Sequence, residues 1–308
     1  MIKSKRLRAG STIGVLAPAG PVKKTKLKRG VNTLERHGYR VKLSENIWDQ
    51  EGYLAGSDLD RAESLNQMFL DQEVEAIICA RGGFGSIRIL EKLDYQTIRK
   101  NPKIFVGYSD ITLLHLAIHK FCSLVTFHGP MLAVDFSSLT DYNRSYFLRG
   151  VSSKRPVGRI RNSKVLGSWK AVSNGKARGS ILGGNLTLIT RLLGTRYEPD
   201  FRNKILFLED LNEDTYRIDG MLAQLKLAGI LKNVKGLILA EFVECKPSQK
   251  ASFSLEEVFQ YYFASAKYPV IYPVSCGHGR DKITIPLGVE VSIDTYKRIL
   301  SIDEAGVR

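Results

Sequence analysis

Short apolar blocks alternate with amphipathic blocks along the first half of the chain. Blocks typical of buried strands occupy residues 12–17, 40–43, 75–79, 103–108 and 124–127. Helical spacing of apolar positions lies between them, near residues 23–37, 86–93 and 111–121 and after Ser57, which with Asp60 resembles a capping box. Strands that alternate with helices predict an α/β domain whose parallel sheet is covered on both faces.

The second half contains more strand than helix. Strands are predicted at residues 204–208 and 234–242, paired strands within 284–301, and helices near 186–193, 216–228 and 254–266. Residues 139–178 are basic, weakly periodic and rich in Ser, Gly and Asn, which is typical of a linker. We therefore expect a first domain over residues 1–138, a basic linker over 139–178 and a smaller, β-rich α+β domain over 179–308.

Positive charge is concentrated in two segments of a chain whose net charge is +15. Residues 1–40 hold eleven Lys and Arg against one acid, and residues 144–178 hold ten with no acid. Such an excess fits an anionic partner or a solvated basic face. No recognised nucleic-acid motif accompanies the charge, and no aromatic residues are interleaved with the N-terminal basic cluster, so a nucleic-acid partner is not expected.

Cysteine spacing and the N-terminus bear on the compartment. The four cysteines are scattered without a Cys-x-x-Cys pair, which argues against a zinc site or a disulfide framework and fits a reducing compartment. The basic N-terminus followed by Ile13–Leu16 mimics an export signal, but its apolar stretch is shorter than the roughly 7–15 residues such a signal needs. No stretch reaches the ~20 apolar residues of a membrane span. We expect a cytoplasmic protein without a membrane partner.

Ser109 is the first candidate for chemistry. An apolar strand leads into Gly107-Tyr108-Ser109-Asp110 and a helical pattern starts at once, which predicts a sharp strand-to-helix turn. Such a turn exposes Oγ and directs free helix amides toward developing negative charge. Ile111 stands where the nucleophile-elbow pattern Gly-x-Ser-x-Gly has its last glycine. Helix capping by Ser109 is therefore an open alternative.

A glycine-rich turn, residues 81–85, follows the third strand and precedes a helix. Glycine lets a ligand approach the backbone and leaves amides free for a phosphate or an oxyanion. The turn matches neither the dinucleotide fingerprint nor a P-loop, and a tight turn without a ligand explains it equally well.

A serine nucleophile needs a histidine base and an acid that orients it. His278 lies in a loop between two glycines, which favours it over His128 at the end of a strand. Glu209 ends an apolar strand, where an acid can bond to the histidine. Glu213 and Asp214 follow nearby, and a role at the N-terminus of the next helix suits them better than Glu209, but the residues alone do not decide which acid orients the histidine.

Taken together, these segments resemble the LD-carboxypeptidase family, whose relatives include microcin-immunity peptidases. The resemblance covers nearly the whole chain, and its specificity comes from the order of its segments. They are Gly14-Val15-Leu16-Ala17-Pro18-Ala19-Gly20, Arg81-Gly82-Gly83-Phe84-Gly85, Gly107-Tyr108-Ser109-Asp110-Ile111-Thr112, His128-Gly129-Pro130-Met131, Leu182-Gly183-Gly184-Asn185-Leu186, Leu206-Phe207-Leu208-Glu209-Asp210, Gly277-His278 and Thr284-Ile285-Pro286-Leu287-Gly288.

The resemblance implies a Ser-Glu-His triad at Ser109, Glu209 and His278, and it decides for Glu209. It implies a Rossmann-like N-terminal domain that carries the serine, a smaller C-terminal domain that carries the other two, and a homodimer. By the mechanism implied, the backbone amides of Gly83 and Asp110 are the expected oxyanion donors. No metal or cofactor is implied.

The activity implied is removal of the terminal D-alanine from murein tetrapeptides, in cell-wall recycling. The alternative within the family is a microcin-immunity enzyme that cleaves peptidyl or aminoacyl nucleotides. The segment between Phe136 and Gly179 is short and offers only Trp169 for stacking on a base, which favours the muropeptide. A non-catalytic module that binds an anion or a nucleotide is the alternative from another class.

Overall fold

A computed structural model describes residues 1–249 and 251–308. Its strands are, in chain order, β1 Thr12–Leu16, β2 Arg40–Leu43, β3 Val74–Cys79, β4 Ile104–Gly107, β5 Thr126–His128, β6 Gly158–Arg159, β7 Lys170–Ser173, β8 Lys176–Asn185, β9 Ile205–Leu211, β10 Gly236–Val243, β11 Val270–Val274, β12 Ile285–Leu287, β13 Glu290–Asp294 and β14 Ile299–Ile302. Its α-helices are α1 Lys24–Arg36, α2 Asp58–Leu70, α3 Ser86–Ile89, α4 Tyr95–Lys100, α5 Thr112–Cys122, α6 Asp141–Val151, α7 Leu186–Leu192, α8 Thr215–Leu227, α9 Ile230–Asn233 and α10 Leu255–Phe263.

The chain divides into two compact units. The N-terminal unit comprises Met1–Pro156 with two returning segments, Ile283–Gly288 and Ala305–Arg308. The C-terminal unit comprises Val157–Lys282 and Val289–Glu304.

The N-terminal unit contains a six-stranded sheet in the order β12-β5-β4-β3-β1-β2. Strands β1 to β5 pair parallel with one another, and β12 joins β5 antiparallel. Strands β1 and β4 are buried along their whole length, as expected of a parallel sheet covered on both faces. The predicted Rossmann-like parallel sheet is confirmed.

The C-terminal unit contains an eight-stranded mixed sheet in the order β6-β14-β13-β8-β9-β10-β11-β7. Its centre, β8 to β11, is parallel, and the outer strands pair antiparallel. The predicted smaller, β-rich α+β domain is confirmed.

Several local expectations are corrected by the structure. The expected linker over 139–178 contains α6, β6, β7 and the start of β8, and the boundary between the units falls after Pro156 instead of at 138 and 178. Helix α6 begins because the Thr140 side chain accepts a hydrogen bond from the amide of Asn143, and it buries Tyr146 and Phe147. The segment was predicted to be a linker because Ser, Gly and Asn are abundant in it and its apolar face is short.

Two further differences concern single elements. The predicted helix over 86–93 is α3 followed by a 3-10 turn at Leu90–Lys92, and α4 was not predicted. Of the predicted strands within 284–301, β13 pairs with β14, whereas β12 returns to the first sheet. The capping interaction of Ser57 with Asp60 is confirmed, since the Ser57 hydroxyl accepts from the Asp60 amide at 3.2 Å.

Candidate active site

Ser109 lies in the N-terminal unit at the turn between β4 and α5. Tyr108 is still extended, with φ −153°, but the φ of Ser109 is +63°. A residue with a Cβ rarely adopts this left-handed conformation, and its cost is tolerated mainly where surrounding structure enforces it. A 3-10 turn at Ser109–Ile111 then leads directly into α5. The strand-to-helix turn predicted for Ser109 is thus present, with the backbone strain typical of a nucleophile elbow.

The alternative that Ser109 caps a helix is not what the structure shows. The residue that precedes the 3-10 turn is Tyr108 and the one that precedes α5 is Ile111, and neither caps with its side chain. The structure also shows how Ile111 fits at the position where the elbow pattern has its last glycine. A Cβ on Gly107 would lie 2.8 Å from the Ile111 Cγ2 atom, so Gly107 makes room for this larger residue.

The glycine turn after β3 packs against Ser109. A Cβ on Gly82 would lie 2.9 Å from the Ser109 Cβ atom, 3.0 Å from its Oγ atom and 3.4 Å from the Asp110 amide nitrogen. Gly83 has φ +125°, and a Cβ there would face Gly20 instead. The sequence singled out this turn, but it did not identify Gly82 as the residue in contact with the serine. The roles of the Gly83 and Asp110 amides remain a proposal.

Two side chains fix the glycine turn in place. The buried Asp110 carboxylate accepts a hydrogen bond from the Ser86 amide at 2.8 Å, which ties the start of α3 to the serine turn. Arg61 is fully buried and donates to the carbonyls of Gly85 at 3.0 Å and Pro18 at 2.6 Å. Sequence reasoning missed Arg61, because an arginine on an amphipathic helix ordinarily points to solvent.

Substitution of Gly82 by alanine is expected to lower kcat/KM by about 100-fold and to cost about 1–3 kcal/mol of stability. The added methyl group would displace Ser109, and a misplacement of about 1 Å costs that much in rate. Gly220→Ala is the matched control, since a Cβ at this position in α8 meets nothing within 4 Å. Steady-state kinetics and thermal unfolding of both variants check the prediction, and equal activity of the two would contradict it.

Glu209 and His278 meet in the C-terminal unit. Glu209 lies near the end of β9 and is fully buried, and its Oε2 atom is 2.6 Å from the His278 Nδ1 atom. A hydrogen bond at this distance from a carboxylate fixes the tautomer in which Nδ1 carries the proton and Nε2 can act as a base. Gly277 has φ +103°, and a Cβ there would lie 2.7 Å from the Glu209 Oε2 atom. The glycine before the histidine therefore lets this loop lie directly on the carboxylate.

The acids next to Glu209 make their contacts at the first turns of helices α7 and α8. Asp214 accepts a hydrogen bond from the Tyr216 amide at the start of α8, and Glu213 pairs with Arg217 at 3.6 Å. Asp210 accepts from the Asn185 side chain and from the Thr187 amide and hydroxyl, each within 2.9 Å, which fixes the start of α7. Burial, and the neighbouring Glu209, raise the pKa of Asp210 to about 6. Of the candidate acids considered from the sequence, Glu209 is the one that bonds to His278.

The electrostatic environment of His278 favours its charged form. Burial opposes protonation, but the charge and the hydrogen bond of Glu209 outweigh it and raise the pKa of His278 above the ordinary 6.5. The charged imidazolium that forms when a base takes a proton is thus stabilised by Glu209.

The His278 titration is expected to have its midpoint above 6.5, and Glu209→Gln should lower that midpoint. The pair contributes stability that is fully present below pH 6.5 and is lost as the pH rises through the raised pKa of the folded protein. NMR titration of the imidazole in wild type and in Glu209→Gln measures both midpoints. An unchanged midpoint in the variant would contradict the assignment of Glu209 as the partner.

Other histidines have structural surroundings. His115 is fully buried, its Nε2 atom is 2.8 Å from the Gly107 carbonyl, and burial lowers its pKa to about 4. His128, the second candidate base, is fully buried in β5, with its ring 5.9 Å from that of Tyr108. His37 is exposed, with Nδ1 2.7 Å from the Thr33 carbonyl.

Metal clusters and membrane-spanning helices are both absent from residues 1–249 and 251–308. Within these residues, no group of three or more His, Cys, Asp or Glu side chains is arranged to hold a metal ion. None of the helices in the same residues is long and apolar enough to cross a membrane.

Comparison with known proteins identifies related chains over the whole length. A model of the LD-carboxypeptidase N-terminal domain matches residues 13–129, and one of the LD-carboxypeptidase C-terminal domain matches residues 178–293. A probable murein peptide carboxypeptidase of Bacillus subtilis is 43% identical, over 99% of this chain and 95% of that protein.

Two further relatives have different names, one a microcin self-immunity protein and the other a muramoyltetrapeptide carboxypeptidase. The microcin C7 self-immunity protein MccF of Escherichia coli is 30% identical, over 97% of this chain and 94% of that protein. A structure of MccF in complex with glutamyl sulfamoyl guanosine has a TM-score of 0.91 at 26% identity and full coverage of both chains. The muramoyltetrapeptide carboxypeptidase of Oxalobacter formigenes has a TM-score of 0.83 at 27% identity, over 96% of this chain and 99% of that one.

Proposed function

The chain belongs to the LD-carboxypeptidase family, and on that premise we propose that it is a serine peptidase which removes the terminal D-alanine from murein tetrapeptides. The observation that carries the proposal is the buried Glu209 bonded to the His278 Nδ1 atom at 2.6 Å, in a chain that also holds Ser109 in a strained strand-to-helix turn. Because Ser109 belongs to one unit and the pair to the other, completion of the triad is part of the proposal.

Acylation begins when Ser109 Oγ attacks the carbonyl carbon of the bond between the L-centre and D-alanine. The His278 Nε2 atom takes the hydroxyl proton as the new C–O bond forms, and Glu209 stabilises the resulting imidazolium. Collapse of the tetrahedral intermediate breaks the C–N bond, and His278 gives its proton to the departing amine of D-alanine. An acyl ester on Ser109 remains.

Deacylation repeats these steps with water as the nucleophile. His278 takes a proton from water as the water oxygen attacks the ester carbonyl, and then returns a proton to Ser109 Oγ as the ester bond breaks. The amides of Gly83 and Asp110 are the proposed oxyanion donors, and one such donor is worth about 3 kcal/mol. The contact between Gly82 and Ser109 supports a place for this turn beside the reacting carbonyl. No step in this scheme requires a metal.

The biological setting completes the proposal. The substrate would arise in cell-wall recycling, and we propose that the enzyme works in the cytoplasm as a homodimer. The four cysteines are buried and are not joined by disulfides, which is consistent with a reducing compartment.

The test is digestion of a purified tetrapeptide muropeptide, followed by mass spectrometry. The proposal predicts loss of a single alanine from the carboxyl end in the wild type and none in Ser109→Ala. Cleavage at another bond would contradict the substrate assignment. Binding of the muropeptide without any cleavage would favour the non-catalytic module.

The second candidate function is cleavage of an aminoacyl or peptidyl nucleotide. It is supported by the likeness to MccF, which has been solved with glutamyl sulfamoyl guanosine. Trp169, the aromatic residue considered for stacking on a base, is 9% exposed, which disfavours that role. Digestion of glutamyl sulfamoyl guanosine beside the muropeptide decides between the two, since the higher kcat/KM identifies the substrate class.

A further inference from the structure

A second carboxylate lies beneath the histidine loop of the C-terminal unit. Strand β10 runs parallel to β9 in the same sheet and carries Glu241, which is only partly exposed. The Glu241 amide donates to the Cys276 carbonyl at 3.2 Å, so this strand is bonded directly to the loop that carries His278. Glu241 has no role in the mechanism above.

The two glycines that flank His278 each lie on one carboxylate. Gly277 lies on Glu209, and Gly279 lies so close to Glu241 that a Cβ there would overlap all three atoms of its carboxyl group. Gly277 is also required by its positive φ, whereas Gly279 has no left-handed backbone. Space for Glu241 is therefore the reason for glycine at 279. Carboxylates of adjacent strands thus support the loop on both sides of the histidine.

The Glu241 carboxyl group lies among other titratable groups, several of which belong to the histidine loop. Burial raises its pKa to about 7, the positive charge of Lys282 opposes that rise, and Asp281 and Glu209 add to it. Lys282 is buried and follows His278 by four residues. The titratable groups that interact with Glu241 come from β9, β11 and the loop itself, and are Glu209, Tyr272, Cys276, Asp281 and Lys282.

We propose that Glu241 is a positioning residue, whose carboxyl group holds Gly279 and thereby keeps the His278 imidazole aligned with Glu209 and the reacting hydroxyl. The role rests on the proposed function, because it matters only if His278 is the base. Glu241 touches neither the imidazole nor the reacting atoms in this account. It acts through the backbone of Gly279, which follows His278, whereas Gly277 precedes it.

Four variants separate contact from charge: Glu241→Gln, Glu241→Ala, Gly279→Ala and the double variant Glu241→Ala/Gly279→Ala. Glutamine keeps the shape of the side chain, so it should retain kcat within about fivefold. Loss of the side chain should lower kcat by about 10- to 100-fold with KM within about twofold, since a small misplacement of a catalytic group costs that much. Gly279→Ala should lower kcat by about the same 10- to 100-fold, because its methyl group displaces the Glu241 carboxyl group from the loop.

The double variant is the decisive comparison. Both single variants abolish the same contact between the Glu241 carboxyl group and Gly279, so the double variant should match Glu241→Ala instead of multiplying the two losses. Thermal unfolding of each variant shows that it is folded, and Gly220→Ala is the control for a glycine without close neighbours. Losses that multiply would overturn the proposal, as would a glutamine variant as poor as alanine or an alanine variant with unchanged kcat.

Two readouts keep this proposal distinct from the proposed function. The rate at which a fluorophosphonate labels Ser109 measures how well His278 activates the serine, without any assumption about the peptide substrate. If the wild type is labelled but leaves muropeptides intact, the substrate assignment fails, and the order of labelling rates still tests Glu241. The proton resonance of the bond between His278 and Glu209 needs no activity at all. It should shift or broaden in Glu241→Ala and stay in place in Glu241→Gln, and an unchanged resonance in both overturns the positioning role.

Discussion

Ser109→Ala is expected to lower kcat/KM for the tetrapeptide by about 10⁴- to 10⁶-fold, the usual consequence of losing the nucleophile of a triad. Without Oγ there is no acyl-enzyme, so only binding and the oxyanion donors remain. Ser109→Gly should be equally inactive but more stable by about 1 kcal/mol, because glycine adopts the φ of +63° without strain. Steady-state kinetics and thermal unfolding measure both effects.

The paired variants distinguish a catalytic serine from a structural one. If Ser109 only shaped the turn, glycine would stabilise the protein and leave turnover intact. Substantial turnover in Ser109→Ala would contradict the proposed triad.

Glu209→Gln is expected to lower kcat by about 10³- to 10⁴-fold, with the fold preserved. An amide NH₂ in place of the carboxylate favours the wrong imidazole tautomer and no longer stabilises the imidazolium, a change that costs about 10⁴-fold in serine proteases. Glu213→Gln tests the competing acid and should cost less than about tenfold, since Glu213 pairs with Arg217. Comparable losses in the two variants would contradict the assignment of Glu209.

The amino-acid pattern was sufficient to predict the parallel sheet and the turn at Ser109. Both depend on local periodicity: buried strands such as β4 read as continuous apolar blocks, and the helical pattern begins directly after Asp110. The choice of Glu209 over Glu213 was different, because both acids lie close to the end of the same strand, Glu209 within β9 and Glu213 just after it. The resemblance decided it, and the bond to His278 agrees with that choice.

Other features depend on residues that are distant in sequence. Strand β12 adds to β5 although about 160 residues separate them, and nothing in its own pattern names that partner. In the sequence, Gly82 and Gly279 resemble ordinary turn glycines. Only the structure shows that Gly82 packs against Ser109 and Gly279 against Glu241. The helical pattern predicts that Arg61 lies at the surface, but in the structure its guanidinium donates to backbone carbonyls of three separate loops. Such long-range contacts fix the site, and single-sequence periodicity carries no information about them.

One measurement tests most directly whether Ser109, activated by His278, performs the hydrolysis. Wild type is treated with limiting amounts of a fluorophosphonate, the labelled residue is mapped by peptide mass spectrometry, and release of D-alanine is followed in the same samples. The proposed triad predicts label on Ser109 alone, activity that falls in proportion to the labelled fraction, and no labelling in His278→Ala. Full labelling of Ser109 with undiminished release of D-alanine would contradict it.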